Sequence, residues 1–228
     1  CKADPDLWFR KNVRPSDGFE YYEYVLLYVD DILAISHDPA DVIRRIDKFF
    51  PMKSGSVGPP DIYLGAKMSK VTLANGVEAW AKSPSKYVQE AVKNLEDYLK
   101  RKYDGRTLAR KANTTFRTGY RPELDVSPEL DPEHASFFQS QIGILRWAVE
   151  LGRVDIITEV SMLSSHLALP REGHLEAVYF LFAYLKKKHN TRMVFDPTYP
   201  DIDMTKFKEG DWKPFYDNVQ EVLPPKTP

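Results

Sequence analysis

Apolar and polar positions change period along the chain, and each change marks an element. "LWFRKN", from Leu7 to Asn12, reads as a strand, and "RPSDGFE" carries turn chemistry in Pro15, Asp17 and Gly18. "YYEYVLLYV" continues as a strand rich in aromatic and β-branched residues, and "ILAIS" after Asp31 is strand-like again. The order predicts hairpin pairing over residues 6–37, with a second tight turn at Asp30-Asp31. In "HDPADVIRRIDKFF" the period becomes helical: Asp38 suits the N-cap, Pro39 the first turn, and Val42, Ile46 and Phe49 or Phe50 form one apolar stripe. "PMKSGSVGPP" is a loop, and "DIYLGAKMSKVTL" and "VEAWAK" flank the turn signal Asn75-Gly76 of another hairpin.

The second half is helical. "SPSKYVQEAVKNLEDYLKRK" offers Ser83 as cap and Pro84 at the first position, with Val88, Ala91, Leu95 and Leu99 in helical period. Residues 103–131 are polar, hold Pro122 and Pro128, and predict an extended, surface-tracking segment. Three helices follow. The first is capped by Asp131 and carries Phe138, Ile142, Leu145 and Val149; the second is "DIITEVSMLSSHLAL", with Ile156, Val160, Leu163 and Leu167. The third starts at Pro170 and carries Ala177, Leu181 and Leu185. Short connections predict antiparallel packing. "TRMVFDP" suits a strand, and Tyr199 to Pro228, rich in Pro, Asp and Lys, reads as a linker. The fold class is α+β.

Composition narrows the picture. The 228 residues suffice for one large or two small domains, and 43% hydrophobic content fills a core. A net charge of −1 gives no global field for nucleic acid, so any electrostatic footprint is local. The single cysteine, Cys1, excludes an intramolecular disulfide, which fits a reducing compartment. No apolar run reaches the roughly 18 residues of a membrane span.

Asp30 and Asp31 are the chemical anomaly, since Leu26–Val29 precede them and Ile32–Ile35 follow. Adjacent carboxylates repel, and ionising both is costly without a cation or donors. Mg2+ (or Mn2+) suits the pair: a hard ion that takes one or two carboxylates plus phosphate oxygens. Two such ions roughly 4 Å apart serve phosphoryl transfer. The bland alternative is a solvated turn. Unbroken apolar flanks argue against it, because they predict strands buried on both faces.

These residues resemble a family. Tyr28-Val29-Asp30-Asp31 is similar to the Tyr-x-Asp-Asp box of reverse transcriptases, in particular that of copia-type retrotransposon polyproteins. "ADPDLWFRK" resembles the strand before that box, "DIYLG" the Phe-Leu-Gly primer grip, and "SPSKYVQEAVKNL" the entry to the thumb. "QIGILRWAVELGRVDIITEVSMLSSHLALPREGHLEAVYFLFAYLKKKHNT" resembles the stretch ahead of the ribonuclease H domain. The resemblance covers about residues 1–195 and rests on the order and spacing of the boxes together.

It implies a partial palm (antiparallel hairpins plus a helix) over 1–82, a thumb-like helix and extended segment over 83–131, a three-helix connection over 132–196 and a linker over 197–228. Asp30 is then a catalytic metal ligand, with Asp31 supporting the metal or the primer end. Tyr28 and Val29 line the floor under the primer terminus, and Tyr63, Leu64 and Gly65 position the primer backbone. The implied partners are an RNA template with a DNA primer, deoxynucleoside triphosphates and the rest of the Pol polyprotein, with no membrane. The implied setting is intracellular, in a cytoplasmic particle or the nucleus. The first catalytic aspartate and the fingers are expected upstream of Cys1, and ribonuclease H beyond Pro228, so the chain alone is expected to be inactive.

The departures are Tyr63 in place of Phe, and Val154 where Arg-Pro-Asp is expected, leaving Arg153 and Asp155. Lys100, Arg101 and Lys102, with Arg106, Arg110 and Lys111, are candidates for phosphate contact; Lys186–Lys188 fit a solvated helix end equally well. Lys53 is a weaker candidate for the triphosphate, and a solvated loop lysine is the simpler reading. His134, His166 and His174 have no zinc spacing with cysteine, and Ser165 and His166 are helix neighbours that do not face each other. Two other readings stand beside the polymerase: a non-catalytic nucleic-acid-binding remnant of a retroelement, and an unrelated helical scaffold.

Overall fold

The structure, a computed structural model, describes residues 4–198; the linker expected over 197–228 lies outside the described residues beyond Thr198. It is α+β, with antiparallel sheets and five α-helices among those residues. The chain forms two compact units, one taking in the residues up to Pro59 and the other Pro60–Phe195.

In the first unit, β1 (Leu7–Val13), β2 (Glu20–Tyr28) and β3 (Asp31–Ile35) form a sheet in sequence order, and α1 (Pro39–Asp47) follows. Asp38 caps α1 as its sequence predicts, its carboxylate accepting from the Asp41 N–H at 3.0 Å. The helix ends at Asp47 with Val42 as its buried residue, so Phe49 and Phe50 fall beyond the stripe and are exposed. Strand alternation places Tyr21 and Glu23, both buried, on one face. Glu23 accepts from Arg10 Nε at 2.6 Å, Asn12 Nδ2 at 2.7 Å and Ser36 Oγ at 2.9 Å, joining β1, β2 and the end of β3. Burial pushes its pKa up, but these donors hold it below the usual carboxylate value.

The other face corrects an expectation. Phe9, Val13, Tyr28 and Ile35 share it and are 54%, 49%, 44% and 43% exposed. The apolar flanks of the Asp-Asp turn are therefore half-buried rather than buried on both faces. The physical reason is the layer count: in this unit one sheet is accompanied by one short helix.

The second unit joins β4 (Ile62–Tyr63), β5 (Ala66–Thr72), β6 (Glu78–Ser83) and β7 (Met193–Phe195) in that order, all antiparallel. Its helices are α2 (Ser85–Lys102), α3 (Pro132–Glu150), α4 (Ile157–Ser164) and α5 (Glu172–Lys187). Val88, Val92, Leu95 and Leu99 of α2 meet Phe138, Ile142 and Leu145 of α3 and Val178, Leu181 and Leu185 of α5 in one core. Each such buried side chain contributes about 1.5–3 kcal/mol. Asp131 caps α3, accepting from the His134 N–H at 2.8 Å.

Three local expectations shift. Ser83 ends β6 instead of capping α2, its hydroxyl donating to the Thr191 carbonyl at 3.1 Å, and Pro84 takes the N-cap position. The α4 helix stops at Ser164, before Leu167. The segment 103–131 is largely irregular, as its prolines predict, but it does more than track the surface: Leu108 and Ala112 are buried in the core. The compact units divide between Pro59 and Pro60, whereas the family-based grouping over 1–82 keeps both hairpins together. In this structure the β4–β6 hairpin shares its unit with α2–α5, and β7 pairs with β6.

Candidate functional site

Tyr28 pairs with Asp31 as the last rung of the β2–β3 ladder, so Val29 and Asp30 alone make the turn. All four residues sit at one tip and are exposed. Val29 is 91% exposed and has φ 51°, in the left-handed region that β-branched residues avoid. Nothing local rewards an apolar side chain there, and strain of this kind is typical of functional turns. The two adjacent carboxylates thus stand at the end of a hairpin whose far end is fixed by Glu23.

The sequence-predicted primer-grip residues form a second two-residue tip. Tyr63 pairs with Ala66, so Leu64 and Gly65 are the turn, with φ 53° and 83°. Positive φ at both central residues is the type I′ pattern that matches strand twist. Among the described residues Val29, Leu64 and Asp104 are the non-glycine residues with positive φ, and two of the three occupy these tips. The two tips belong to different compact units.

The basic candidates divide by their partners. Lys102 Nζ lies 2.7 Å from Glu133, and Lys100 lies 3.8 Å from Asp97. Arg101 folds back on the Asp97 carbonyl at 3.2 Å. Arg106 binds Glu176 at 2.6 Å and lies over the Tyr103 and Tyr179 rings, Lys186 binds Glu96 at 2.7 Å, and Lys187 bonds Asn113. Arg110 and Lys111 are exposed. Lys53 is an exposed loop residue whose carbonyl accepts from Ser56.

Sequence reasoning treated Arg153 and Asp155 only as family positions. In the structure Arg153 is fully buried and grips Asp155 through Nε at 2.8 Å and Nη2 at 2.7 Å, while Tyr184 donates to Asp155 at 3.0 Å. The role of the pair is structural. Its signal was present: an arginine inside an apolar stretch with a carboxylate two residues on.

Whether the Asp30–Asp31 tip suits a metal is decided by its donor chemistry. Two exposed adjacent carboxylates fit a hard cation completed by water and phosphate oxygens. Among the described residues no group of three His, Cys, Asp or Glu side chains is placed to hold a metal without such help.

Comparison with known proteins finds similarity to proteins of transposons. Over 192 residues it is 27% identical to a transposon Ty5-1 protein of Saccharomyces cerevisiae, covering 81% of this chain and 53% of that protein. Over 215 residues it is 25% identical to the retrovirus-related Pol polyprotein from transposon TNT 1-94 of Nicotiana tabacum, covering 89% of this chain and 15% of that one. The chain thus spans about half of the first relative and a small part of the second. No family model matches the chain, and no solved structure matches it. Among the described residues no helix is long and apolar enough to cross a membrane.

Proposed function

We propose that this chain is part of the RNA-directed DNA polymerase of a copia-type retrotransposon, with the Tyr28–Asp31 turn at its catalytic centre. The observation that carries the reading is the presentation of Asp30 and Asp31 on a tight, strained hairpin tip. Relatedness to a retrovirus-related Pol polyprotein supports it. In this reading Asp30 and Asp31 hold Mg2+ or Mn2+ against the phosphates of an incoming deoxynucleoside triphosphate. The ion would supply charge stabilisation as phosphate transfers to the primer end. Tyr28 and Val29 form the floor under that end, and Tyr63, Leu64 and Gly65 hold the primer backbone. Lys100 and Arg101, whose local contacts are loose, are better placed to bind template–primer phosphates than Lys102, which Glu133 neutralises.

Two-metal transfer needs more carboxylates than this tip offers, so the isolated chain binds a primer–template without extending it efficiently; the rest of the Pol polyprotein completes the centre. The test is binding of a DNA primer recessed on an RNA template, with and without Mn2+. Affinity rises with Mn2+, and the rise is lost in Asp30→Asn with Asp31→Asn. Absence of binding overturns the reading. Binding indifferent to Mn2+ favours the second reading, a non-catalytic nucleic-acid-binding remnant. Robust extension by the chain alone, abolished by Asp30→Asn, overturns the claim that it is incomplete.

A further inference from the structure

Residues 120–130 cross the N-terminal end of α5 as a strap, and most of their hydrogen bonds to other elements converge there. The Glu172 N–H donates to the Pro128 carbonyl at 3.0 Å, and the Leu130 N–H to the Pro170 carbonyl at 2.9 Å. The Gly173 N–H donates to Ser127 Oγ at 2.8 Å, and Arg171 Nη1 to the Ser127 carbonyl at 2.6 Å. Within the strap, Asp125 accepts from the Tyr120 hydroxyl at 2.8 Å and from the Ser127 N–H and hydroxyl at 2.9 and 2.6 Å. The strap's own hydroxyl and carbonyl thereby satisfy N–H groups that a helix start leaves open.

An imidazole closes the arrangement. His174 is buried; its Nδ1 accepts from the Arg171 N–H at 3.0 Å, and its Nε2 lies 3.0 Å from the Pro122 carbonyl. An acceptor at one nitrogen and a donor at the other define the neutral ring, so both bonds together demand it. His166, half-buried, stacks on this ring with centroids 4.1 Å apart. The charged groups acting on His166 are Asp125 and Glu123 from the strap; Arg171 meets His174 through its backbone N–H while its guanidinium lies on the strap's Ser127 carbonyl and 3.3 Å from Glu129, and α3 contributes the uncharged Phe138 ring.

We propose that the His166–His174 stack is an acid-sensitive clip, which holds the strap on α5 at neutral pH and loosens it in mild acid. A proton on His166 places a cation against the neutral ring of His174 and beside the positive end of α5. The same charge is attracted to Asp125 and Glu123 of the strap, which opposes release without cancelling it. Burial, then His174, hold the His166 pKa below the ordinary imidazole value, against the opposing pull of Asp125 and Glu123. A group with a depressed pKa in the closed form binds its proton more tightly when released, so falling pH favours release.

Backbone amide exchange of the whole chain tests the clip, with rates corrected for their intrinsic pH dependence. Between about pH 7.5 and about pH 5.5, protection at Leu130, Glu172 and Gly173 falls by roughly two- to threefold, while Leu95 and Leu99 in α2 keep theirs. His166→Phe preserves the stack without a titrating group and leaves the strap protected at the lower pH. The clip is overturned if wild-type protection is unchanged, if α2 and the strap lose protection together, or if His166→Phe responds as strongly as the wild type.

Discussion

Tyr28 and Asp31 face each other across the β2–β3 ladder, and that pairing forces Val29 into the left-handed region. A β-branched residue held there costs on the order of 1–3 kcal/mol, and the exposed Val29 side chain returns little by burial. Glycine removes the strain at an entropic cost of roughly 0.5–1 kcal/mol. Val29→Gly is therefore expected to stabilise the hairpin by about 1 kcal/mol, read as slower exchange of the β2–β3 amides. Weaker Mn2+-dependent primer–template binding by the same variant would mark the strain as functional. Faster exchange would show that Val29 is not strained.

Leu64-Gly65 allows a cleaner separation of sterics from backbone. Gly65 has φ 83°, yet a β-carbon added there meets nothing within 4 Å. Any cost of substitution is conformational. Gly65→Ala should lower the stability of the second unit by about 1 kcal/mol, whereas Gly65→Asn, which tolerates positive φ, should cost clearly less. Thermal unfolding distinguishes the two, and equal losses would indicate a hidden contact.

Where the sequence was legible, the signals were local. Asp38 and Asp131 cap helices because a side-chain oxygen reaches its own helix's N–H groups, a relation visible in four residues. A tight turn here was legible because the apolar runs beside it fix the ladder, but it falls on Val29-Asp30, one residue earlier than expected, because Asp31 still pairs with Tyr28. Ser83 misled because a tertiary acceptor, the Thr191 carbonyl, claims its hydroxyl. The open face of Phe9, Val13, Tyr28 and Ile35 was not legible, since alternation reports which residues share a face and not whether anything covers it. The strap depends on contacts between residues 120–130 and 170–174, with no local pattern to announce them.

Arg153 and Asp155 make a buried pair whose loss has a calculable direction. Removing the charged carboxylate leaves a fully buried guanidinium whose Nη1 has no hydrogen-bond partner among the described residues. Asp155→Asn should destabilise the second unit by about 3–5 kcal/mol, measured by denaturant unfolding. Burial raises the Asp155 pKa, but Arg153 and Tyr184 outweigh it and hold it below the usual value. A depressed carboxylate contributes stability above its unfolded pKa, and that contribution is lost as pH falls through the lower folded value. Acid unfolding below about pH 4 should accordingly be shallower in Asp155→Asn than in the wild type. Val154 itself starts a 3-10 turn, a position that suits proline, so Val154→Pro should be neutral or stabilising by up to about 1 kcal/mol.

Gly173 is where the strap leaves no room. A β-carbon built there lies 1.8 Å from Asp125 Oδ2 and 2.6 Å from its Cγ, so even alanine must expel the carboxylate. Expulsion separates Asp125 from Ser127 and breaks the Ser127–Gly173 bond with it. Gly173→Ala should cost on the order of 1–3 kcal/mol and expose the Leu130 and Glu172 amides to exchange at neutral pH. Because the strap is already displaced, acidification should change those rates little further, which sets this variant apart from the wild type. Asp125→Ala in the same background relieves the clash, and it should recover α5 protection without restoring the Tyr120 bond. If the double variant is no better protected than Gly173→Ala, the clash is not what makes glycine necessary there.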